Sequence, residues 1–183
     1  MKTITAGGVP EYFNLPVQLA AEAGAFAASD IDFTWKEIPQ GTGAMVQQLQ
    51  SGELDLAILL TEGAVKAICN GLPARIIGTY VASPLVWGVH VPAASGIKDF
   101  GQVWEQPFAI SRYGSGSHLM AIHMALQHGV TPESLRFEVV DHLQGAREAF
   151  AGGRASVFMW EKYTTKPLVD AGEFRRVGEH TTP

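Results

Sequence analysis

Short apolar runs alternate with helix-like segments along most of this sequence. The run Leu54–Leu60 constrains the fold most, because it is almost continuously apolar and directly follows a Gly-Glu turn. Such a run is typical of a strand buried on both faces of a parallel sheet. The alternation of strands and helices around it predicts an α/β fold with sheets flanked by helices.

The first part of the sequence contains four candidate strands separated by three candidate helices. The longest helix has apolar residues at helical spacing and follows Asn14, a residue type that caps helices. The predicted strands are Ile4–Ala6, Ile31–Trp35, Leu54–Leu60 and Ala74–Tyr80. The predicted helices are Leu15–Ala28, Ala44–Gln50 and Thr61–Asn70.

The second part repeats the alternation after an extended stretch. The predicted strands are Phe108–Ser111, Arg136–Val140, Val157–Trp160 and Phe174–Val177, and the helices are Leu119–His128, Leu143–Phe150 and Thr165–Ala171. We therefore predict two lobes, each a mainly parallel sheet flanked by helices. The expected boundaries are residues 1–82 for the first lobe, 83–91 for a hinge crossing, 92–178 for the second lobe and 179–183 for the start of a return crossing.

Composition limits the partners that such a chain can have. The formal net charge of -5 disfavours binding to nucleic acid, whose phosphates require basic surfaces. No apolar run is long enough to insert into a membrane, and the N-terminus does not read as a secretory signal. We expect a cytoplasmic protein as the sequence is written, or a periplasmic or lipid-anchored one if a signal has been cleaved off. The single cysteine, Cys69, is expected to be a small buried residue on a helix face.

Ligands of open parallel sheets bind beyond the carboxyl ends of the strands, where helices begin. The most informative segment in such a position is Ser111–Ser117, which contains two glycines and three serines. A helix that starts there offers backbone N–H groups to an anion, and Arg112 adds a positive charge. The alternative is an ordinary turn with Ser117 as the helix cap. The spacing matches neither a phosphate P-loop nor a dinucleotide fingerprint.

Three glutamates, Glu11, Glu62 and Glu161, also follow predicted strands. Carboxylates that converge on one cleft would favour a ligand with an amine or a protonated ring nitrogen. The alternative for each glutamate is a first-turn position that the helix dipole favours. Aromatic residues lie in the same loops or at the crossing, where they could stack on a flat ligand or pack in the core. These aromatic residues are Tyr12, Phe13, Trp87, Tyr113 and Trp160.

The sequence gives little support for a metal site or a catalytic nucleophile. His118, His123 and His128 are spaced by five residues, which places them on different faces of a helix, and no zinc-binding histidine motif occurs. Ser115 lies between two glycines but lacks the context of a catalytic serine. No catalytic residue, metal or cofactor is therefore predicted.

Three segments resemble the type II periplasmic substrate-binding proteins, in particular the nitrate, sulfonate and thiamine-precursor branch that includes thiamine-pyrimidine synthase-like members. The segments are Gly7–Glu11, Leu49–Ala57 and Ile110–Ser117. The resemblance implies two lobes that close on a small ligand and deliver it to the permease of an ABC-type importer. It also implies that the family's chains continue beyond this sequence and return to the first lobe, so an incomplete first lobe could promote self-association.

The resemblance and the strand-end argument together define one set of candidate ligand-binding residues. These are Pro10, Glu11, Tyr12, Thr42, Glu62, Trp87, Arg112, Tyr113, Ser115, Gly116, Ser117, Trp160 and Glu161. The expected ligand is a small nitrogen-containing or anionic metabolite. The alternatives are a cytoplasmic enzyme of thiamine-pyrimidine or menaquinone metabolism on the same fold and, ranked last, a ligand-sensing domain of a transcription regulator.

Overall fold

The computed structural model describes residues 1–181, and the chain divides into two units, Met1–Ala82 and Ser83–Pro183. Each unit contains a sheet formed by its own strands. The predicted α/β fold class is thereby confirmed.

The first unit is built around a three-stranded parallel sheet. Its strands are β1 (Lys2–Gly8), β2 (Ile31–Glu37) and β3 (Leu56–Ala57), in the order β2-β1-β3. The helices are α1 (Leu15–Glu22), α2 (Thr42–Ser51) and α3 (Thr61–Cys69). Because all three strands run in the same direction, their carboxyl ends lie along one edge of the sheet.

Buried side chains from the loops and α2 form the core of the first unit. Ile38, Met45 and Leu54 are almost fully buried and pack together beside β1. Gly7 is needed here, because a Cβ at this position would lie 2.7 Å from Ile38 and 2.9 Å from Leu54. The close approach of these apolar side chains to the strand therefore depends on Gly7.

The predicted strand Ala74–Tyr80 is wrong. These residues lack strand structure, and strand β3 covers only part of the predicted run Leu54–Leu60. Strand propensity is a local property, whereas a strand forms only when a neighbouring backbone accepts and donates hydrogen bonds. Ala74–Tyr80 has no such neighbour among residues 1–181.

The second unit has a mixed five-stranded sheet in the order β6-β5-β7-β4-β8. Strand β5 is parallel to β6 and β7, whereas β4 is antiparallel to β7 and β8. The strands are β4 (Val86–Pro92), β5 (Pro107–Ile110), β6 (Arg136–Val139), β7 (Val157–Glu161) and β8 (Phe174–Thr181). The helices are α4 (Gly116–Gln127), α5 (Leu143–Ala151) and α6 (Lys166–Asp170).

Strand β4 therefore carries most of the residues predicted for the hinge crossing, and β8 includes residues 179–181, which were predicted to begin a return crossing. Small residues of α5 pack closely on the sheet, where Ala146 and Ala149 join Phe158 and Phe174 in a buried cluster. This arrangement fixes the carboxyl ends of β5, β6 and β7, from which the site residues of this unit project.

Two smaller expectations also fail. The first helix ends at Glu22 and is followed by turns, so it is shorter than the predicted Leu15–Ala28. Cys69 lies at the end of α3 and is exposed, not buried. No helix within residues 1–181 is both long enough and apolar enough to span a membrane.

Candidate ligand-binding site

The loop after β1 carries three predicted ligand-binding residues, Pro10, Glu11 and Tyr12. Pro10 and Tyr12 are exposed, and Glu11 is partly buried. Asn14 fastens this loop, because its side-chain amide donates a 2.7 Å hydrogen bond to the Val9 carbonyl oxygen. The predicted role of Asn14 as a side-chain cap of α1 is wrong, since it makes no capping bond.

Thr42 and Glu62 lie in the first turns of α2 and α3, and the fold brings them close together. A Cβ on Gly63 would lie 2.5 Å from the Thr42 methyl group, so the two helix starts approach because residue 63 is glycine. The Glu62 Oε1 atom is buried and has no hydrogen-bond partner within residues 1–181. Leaving a buried acceptor unpaired is costly, so this position favours a hydrogen-bond donor.

The serines after β5 form a connected cluster. Ser111, Ser115 and Ser117 are all buried. The Ser117 hydroxyl accepts from the Ser111 backbone N–H over 3.0 Å and lies 3.1 Å from the Ser115 hydroxyl. Ser115, not Ser117, caps α4, because its side chain accepts from the His118 backbone N–H. The hydroxyls therefore hold the loop, and Gly116 leaves the first turn of α4 without a side chain at that position.

Arg112 supplies positive charge beside this helix start. Its side chain is partly buried, and this loss of water lowers the pKa of the guanidinium, while the carboxylate of Asp141 acts in the opposite direction. Asp141 follows β6 and has a left-handed backbone with a φ of 61°. Arg112 and Asp141 thus influence each other from the carboxyl ends of two adjacent strands.

Aromatic rings line the outer side of the same loop. Tyr113 is exposed, and its ring centroid lies 5.2 Å from that of His118 and 6.2 Å from that of Phe137. His118 is tied to the loop as well, because its Nδ1 accepts a 3.0 Å hydrogen bond from the Gly114 backbone N–H. Gly114 itself has a φ of 80°, which favours glycine. Tyr113 is therefore held in place by its neighbours while its ring stays accessible.

Trp87, Trp160 and Glu161 are placed by the pairing of β4 with β7. Trp87 lies opposite Glu161, so these two share a face of the sheet, whereas Trp160 projects from the other face. Trp160 stacks on Phe158 with centroids 5.0 Å apart, as expected for a core residue. Trp87 is 4% exposed, and its indole N–H has no hydrogen-bond partner in residues 1–181.

The Glu161 carboxylate is buried and accepts hydrogen bonds from backbone groups of the same chain. Its Oε2 atom accepts hydrogen bonds from the backbone N–H groups of Tyr163 and Thr164, over 2.8 and 2.7 Å. These bonds close the turn that leads into α6. Glu161 therefore shapes the end of β7 through contacts that a sequence pattern of acidic residues after strands does not reveal.

Sequence reasoning missed a histidine pair near the end of β8. His123 Nδ1 and His180 Nε2 lie 2.8 Å apart and join α4 to β8. Burial, together with His123 and His128, lowers the pKa of His180. His180 also lies opposite Trp87 in the sheet. No group of three or more metal-binding side chains was found in the described part of the chain.

Asp141 and His142 were missed for a simpler reason. They lie two and three residues after the end of β6, the same topological position that pointed to the other candidates. His142 caps α5 by accepting from the Gly145 N–H over 3.1 Å. Examining every strand end would have found both residues. The candidate residues of the second unit that lie at the carboxyl edge are thus Trp87, Arg112, Tyr113, Ser115, Gly116, Ser117 and Glu161.

The model of the Ca3427-like PBP family matches residues 89–180, slightly more than half of the chain. The chain belongs to this family. No curated protein sequence is significantly similar to it. The matched region contains β5, the serine loop, α4 and most of the β4–β7 pair, so the candidate residues of the second unit lie almost entirely within it.

Solved structures extend the similarity over the whole chain. The CA3427 gene product of Candida albicans, described as having the generic periplasmic binding protein fold, is 30% identical with a TM-score of 0.90, over 100% of this chain and 61% of that one. The alkanesulfonate-binding protein SsuA of Xanthomonas axonopodis pv. citri, bound to MOPS, is 16% identical with a TM-score of 0.78, over 98% and 61%.

A third similar structure is the ligand-binding component of an ABC-type import system from Staphylococcus aureus with zinc bound. It is 12% identical with a TM-score of 0.71, and the match covers 98% of this chain and 61% of that one. The chain thus spans about 61% of the length of these relatives. The predicted membership among periplasmic-binding-protein-like chains is confirmed.

Proposed function

We propose that this family member is a solute-binding protein whose ligand is a small organic anion. Its charged group would bind at the start of α4, next to Arg112. The observation that carries the proposal is the combination of a partly buried guanidinium with a helix start whose serines and glycines are already held in place. An anion there interacts with backbone N–H groups, the helix dipole and a cation together.

Further support comes from the surroundings of the loop. Tyr113 offers an exposed ring against which the organic part of a ligand can pack. A sulfonate is the first ligand class to test, because the similar SsuA structure is that of an alkanesulfonate-binding protein with MOPS bound. Closure of two lobes on the ligand, the contribution of Glu11, Thr42 and Glu62, and an ABC-type permease partner stay predictions from the sequence and the family resemblance.

Isothermal titration calorimetry of the purified chain with MOPS, a linear alkanesulfonate and a linear alkylamine tests the proposal. We expect binding of at least one sulfonate and no binding of the amine. Arg112→Gln should weaken sulfonate binding about 10- to 100-fold, the range of a lost charge-assisted hydrogen bond. Arg154→Gln is the matched control, because Arg154 is exposed and pairs with Glu138.

Three results would contradict the proposal. Binding of the amine but of no anion would favour the glutamates of the first unit as the main determinant. Equal losses in Arg112→Gln and Arg154→Gln would show that general charge, not this loop, attracts the ligand. Recovery of a chemically altered ligand would favour the enzyme alternative.

A further inference from the structure

Asp141 lies beside Arg112 because the pairing of β5 with β6 continues past the ends of both strands. The Val140 backbone N–H donates to the Ile110 carbonyl oxygen over 2.8 Å. The Asp141 N–H then donates to the Ser111 carbonyl oxygen over 3.1 Å. Arg112 and Asp141 are therefore neighbours where the two segments leave the sheet. Burial lowers the pKa of Arg112, and the negative charge of Asp141 acts against that effect.

The backbone at Asp141 does not account for its carboxylate. Its φ of 61° lies in the left-handed region, where asparagine and glycine are also readily accommodated. The side chain is exposed, and its carboxylate accepts no hydrogen bond and forms no ion pair with any residue that the structure describes. The carboxylate is thus not required to build the turn, and its negative charge is accessible to a ligand beside Arg112.

We propose that Asp141 determines ligand specificity: the anion that binds beside Arg112 also carries a positively charged amino group, which pairs with the Asp141 carboxylate. A simple anion would be attracted by Arg112 and repelled by Asp141, whereas a zwitterion is attracted by both residues. Neighbouring strands lie about 4.8 Å apart, so a linker of about three carbon atoms between the two charges spans the pair. This inference rests on the proposed function and narrows its ligand class to zwitterions.

Two sulfonates of the same length provide the test. In 3-aminopropane-1-sulfonate an ammonium group takes the place of the terminal methyl group of butane-1-sulfonate, so the two ligands differ mainly in this charge. Isothermal titration calorimetry at neutral pH measures the affinity of the purified chain for both. We expect the wild type to bind the aminosulfonate about 10-fold more tightly, the effect of one added charge-assisted hydrogen bond.

Substitutions at two aspartates locate the origin of this preference. Asp141→Asn removes the charge but keeps the size of the side chain and a residue type that tolerates a positive φ. It should bind the aminosulfonate about 10-fold more weakly than the wild type, and butane-1-sulfonate no more weakly. Asp141→Gly also tolerates the backbone conformation and should lose the preference in the same way.

Asp30→Asn is the matched control. Asp30 is an exposed aspartate with a φ of 58°, so the substitution makes the same chemical change in the same backbone conformation. It lies directly before β2, at the amino end of that strand and not at a carboxyl end. This variant should keep the preference of the wild type. The same change in Asp30→Asn as in Asp141→Asn would show that net charge, and not position 141, sets the preference.

The remaining outcomes separate this inference from the proposed function. Equal binding of the two sulfonates by the wild type would overturn the inference and leave the proposed function standing. A preference that persists in both Asp141 variants, or an equal loss of both ligands in them, would overturn it as well. Binding of neither sulfonate would also overturn the inference, and the absence of MOPS binding in addition would overturn the proposed function.

Discussion

His90 and Thr165 are joined by a buried hydrogen bond of 3.0 Å between Nε2 and Oγ1, which connects β4 to the turn before α6. On the other side of the ring, Nδ1 lies 3.2 Å from the Phe158 carbonyl oxygen. A carbonyl only accepts, so the neutral ring carries its proton on Nδ1 and Nε2 is left as an acceptor. The carbonyl oxygens of Glu161 and Lys162 also lie within 3.0 and 3.2 Å of the Thr165 hydroxyl and compete with Nε2 for its single proton. This bridge supports the end of β7, where Glu161 and Trp87 face each other.

The first prediction concerns the pH dependence of stability. Burial is the main cause that lowers the pKa of His90 from 6.5 to about 4; the Phe158 carbonyl and Glu179 raise it, and Arg176 lowers it. Because the folded state binds the proton less readily than the unfolded chain, this stabilisation is complete above pH 6.5 and is lost as the pH falls towards 4. The total loss corresponds to about 3 kcal/mol of unfolding free energy.

Urea denaturation between pH 4 and 7.5 measures this loss. Acidic groups also contribute to acid destabilisation, so the comparison is with His90→Gln, which cannot take up a proton in this range. We expect the wild type to lose more stability than His90→Gln between pH 6.5 and 4.5. Parallel pH profiles for the two proteins would show that His90 does not control this transition.

The second prediction separates the two members of the bridge. Thr165→Val keeps the shape of the side chain but removes the hydroxyl that lies within hydrogen-bond distance of His90 Nε2 and the Glu161 carbonyl oxygen, so buried acceptors lose a possible donor. We expect a loss of about 1–3 kcal/mol in unfolding free energy at pH 7.5. Thr165→Ser retains the hydroxyl, so denaturation curves should show a clearly smaller loss for it. Equal losses for both variants would show that the hydroxyl contributes no more to stability than the methyl group.

The strand ends were the most predictable part of this molecule. The spacing of apolar residues and the local composition identified the loop Ser111–Ser117. Glycines and serines directly after an apolar run are typical of a tight loop that leads into a helix. Its internal order was less predictable, since Ser115 caps α4 through a bond that depends on the local backbone. The same alternation failed for Ala74–Tyr80, because a strand also requires a neighbouring strand and none lies beside this segment within residues 1–181.

The sequence patterns did not reveal the hydrogen-bond partners of several residues. Asn14 is a residue type that commonly caps helices, yet its side-chain amide donates a hydrogen bond to the Val9 carbonyl oxygen. His123 and His180 are 57 residues apart and meet only because α4 packs near β8. Glu161 follows a predicted strand in the same way as Glu11 and Glu62. In the structure, however, the turn after β7 directs backbone N–H groups at its carboxylate. The histidine pair depends on the tertiary fold, whereas the bonds of Asn14 and Glu161 depend on the local backbone conformation of their loops.

The third prediction addresses the close packing of α5 on the loop after β6. A Cβ on Gly145 would lie 2.0 Å from the Val140 carbonyl oxygen, so Gly145→Ala must displace the backbone next to Asp141 and His142. We expect a loss of about 1–3 kcal/mol or more in unfolding free energy. Gly96→Ala is the control, because nothing lies within 4 Å of its Cβ and its φ is not positive. Thermal and urea denaturation of both variants measures the difference.

The last prediction tests whether the serine cluster supports ligand binding by fixing the geometry of the loop. Ser115→Ala removes the cap of α4 and the contact with the Ser117 hydroxyl, which should cost about 1 kcal/mol in unfolding free energy. Because the loop then loses its fixed geometry, sulfonate affinity should fall as well. Ser115→Thr keeps the hydroxyl and should preserve both properties. Denaturation and calorimetry on the two variants provide the measurement, and unchanged sulfonate affinity in Ser115→Ala would place the bound anion elsewhere on the chain.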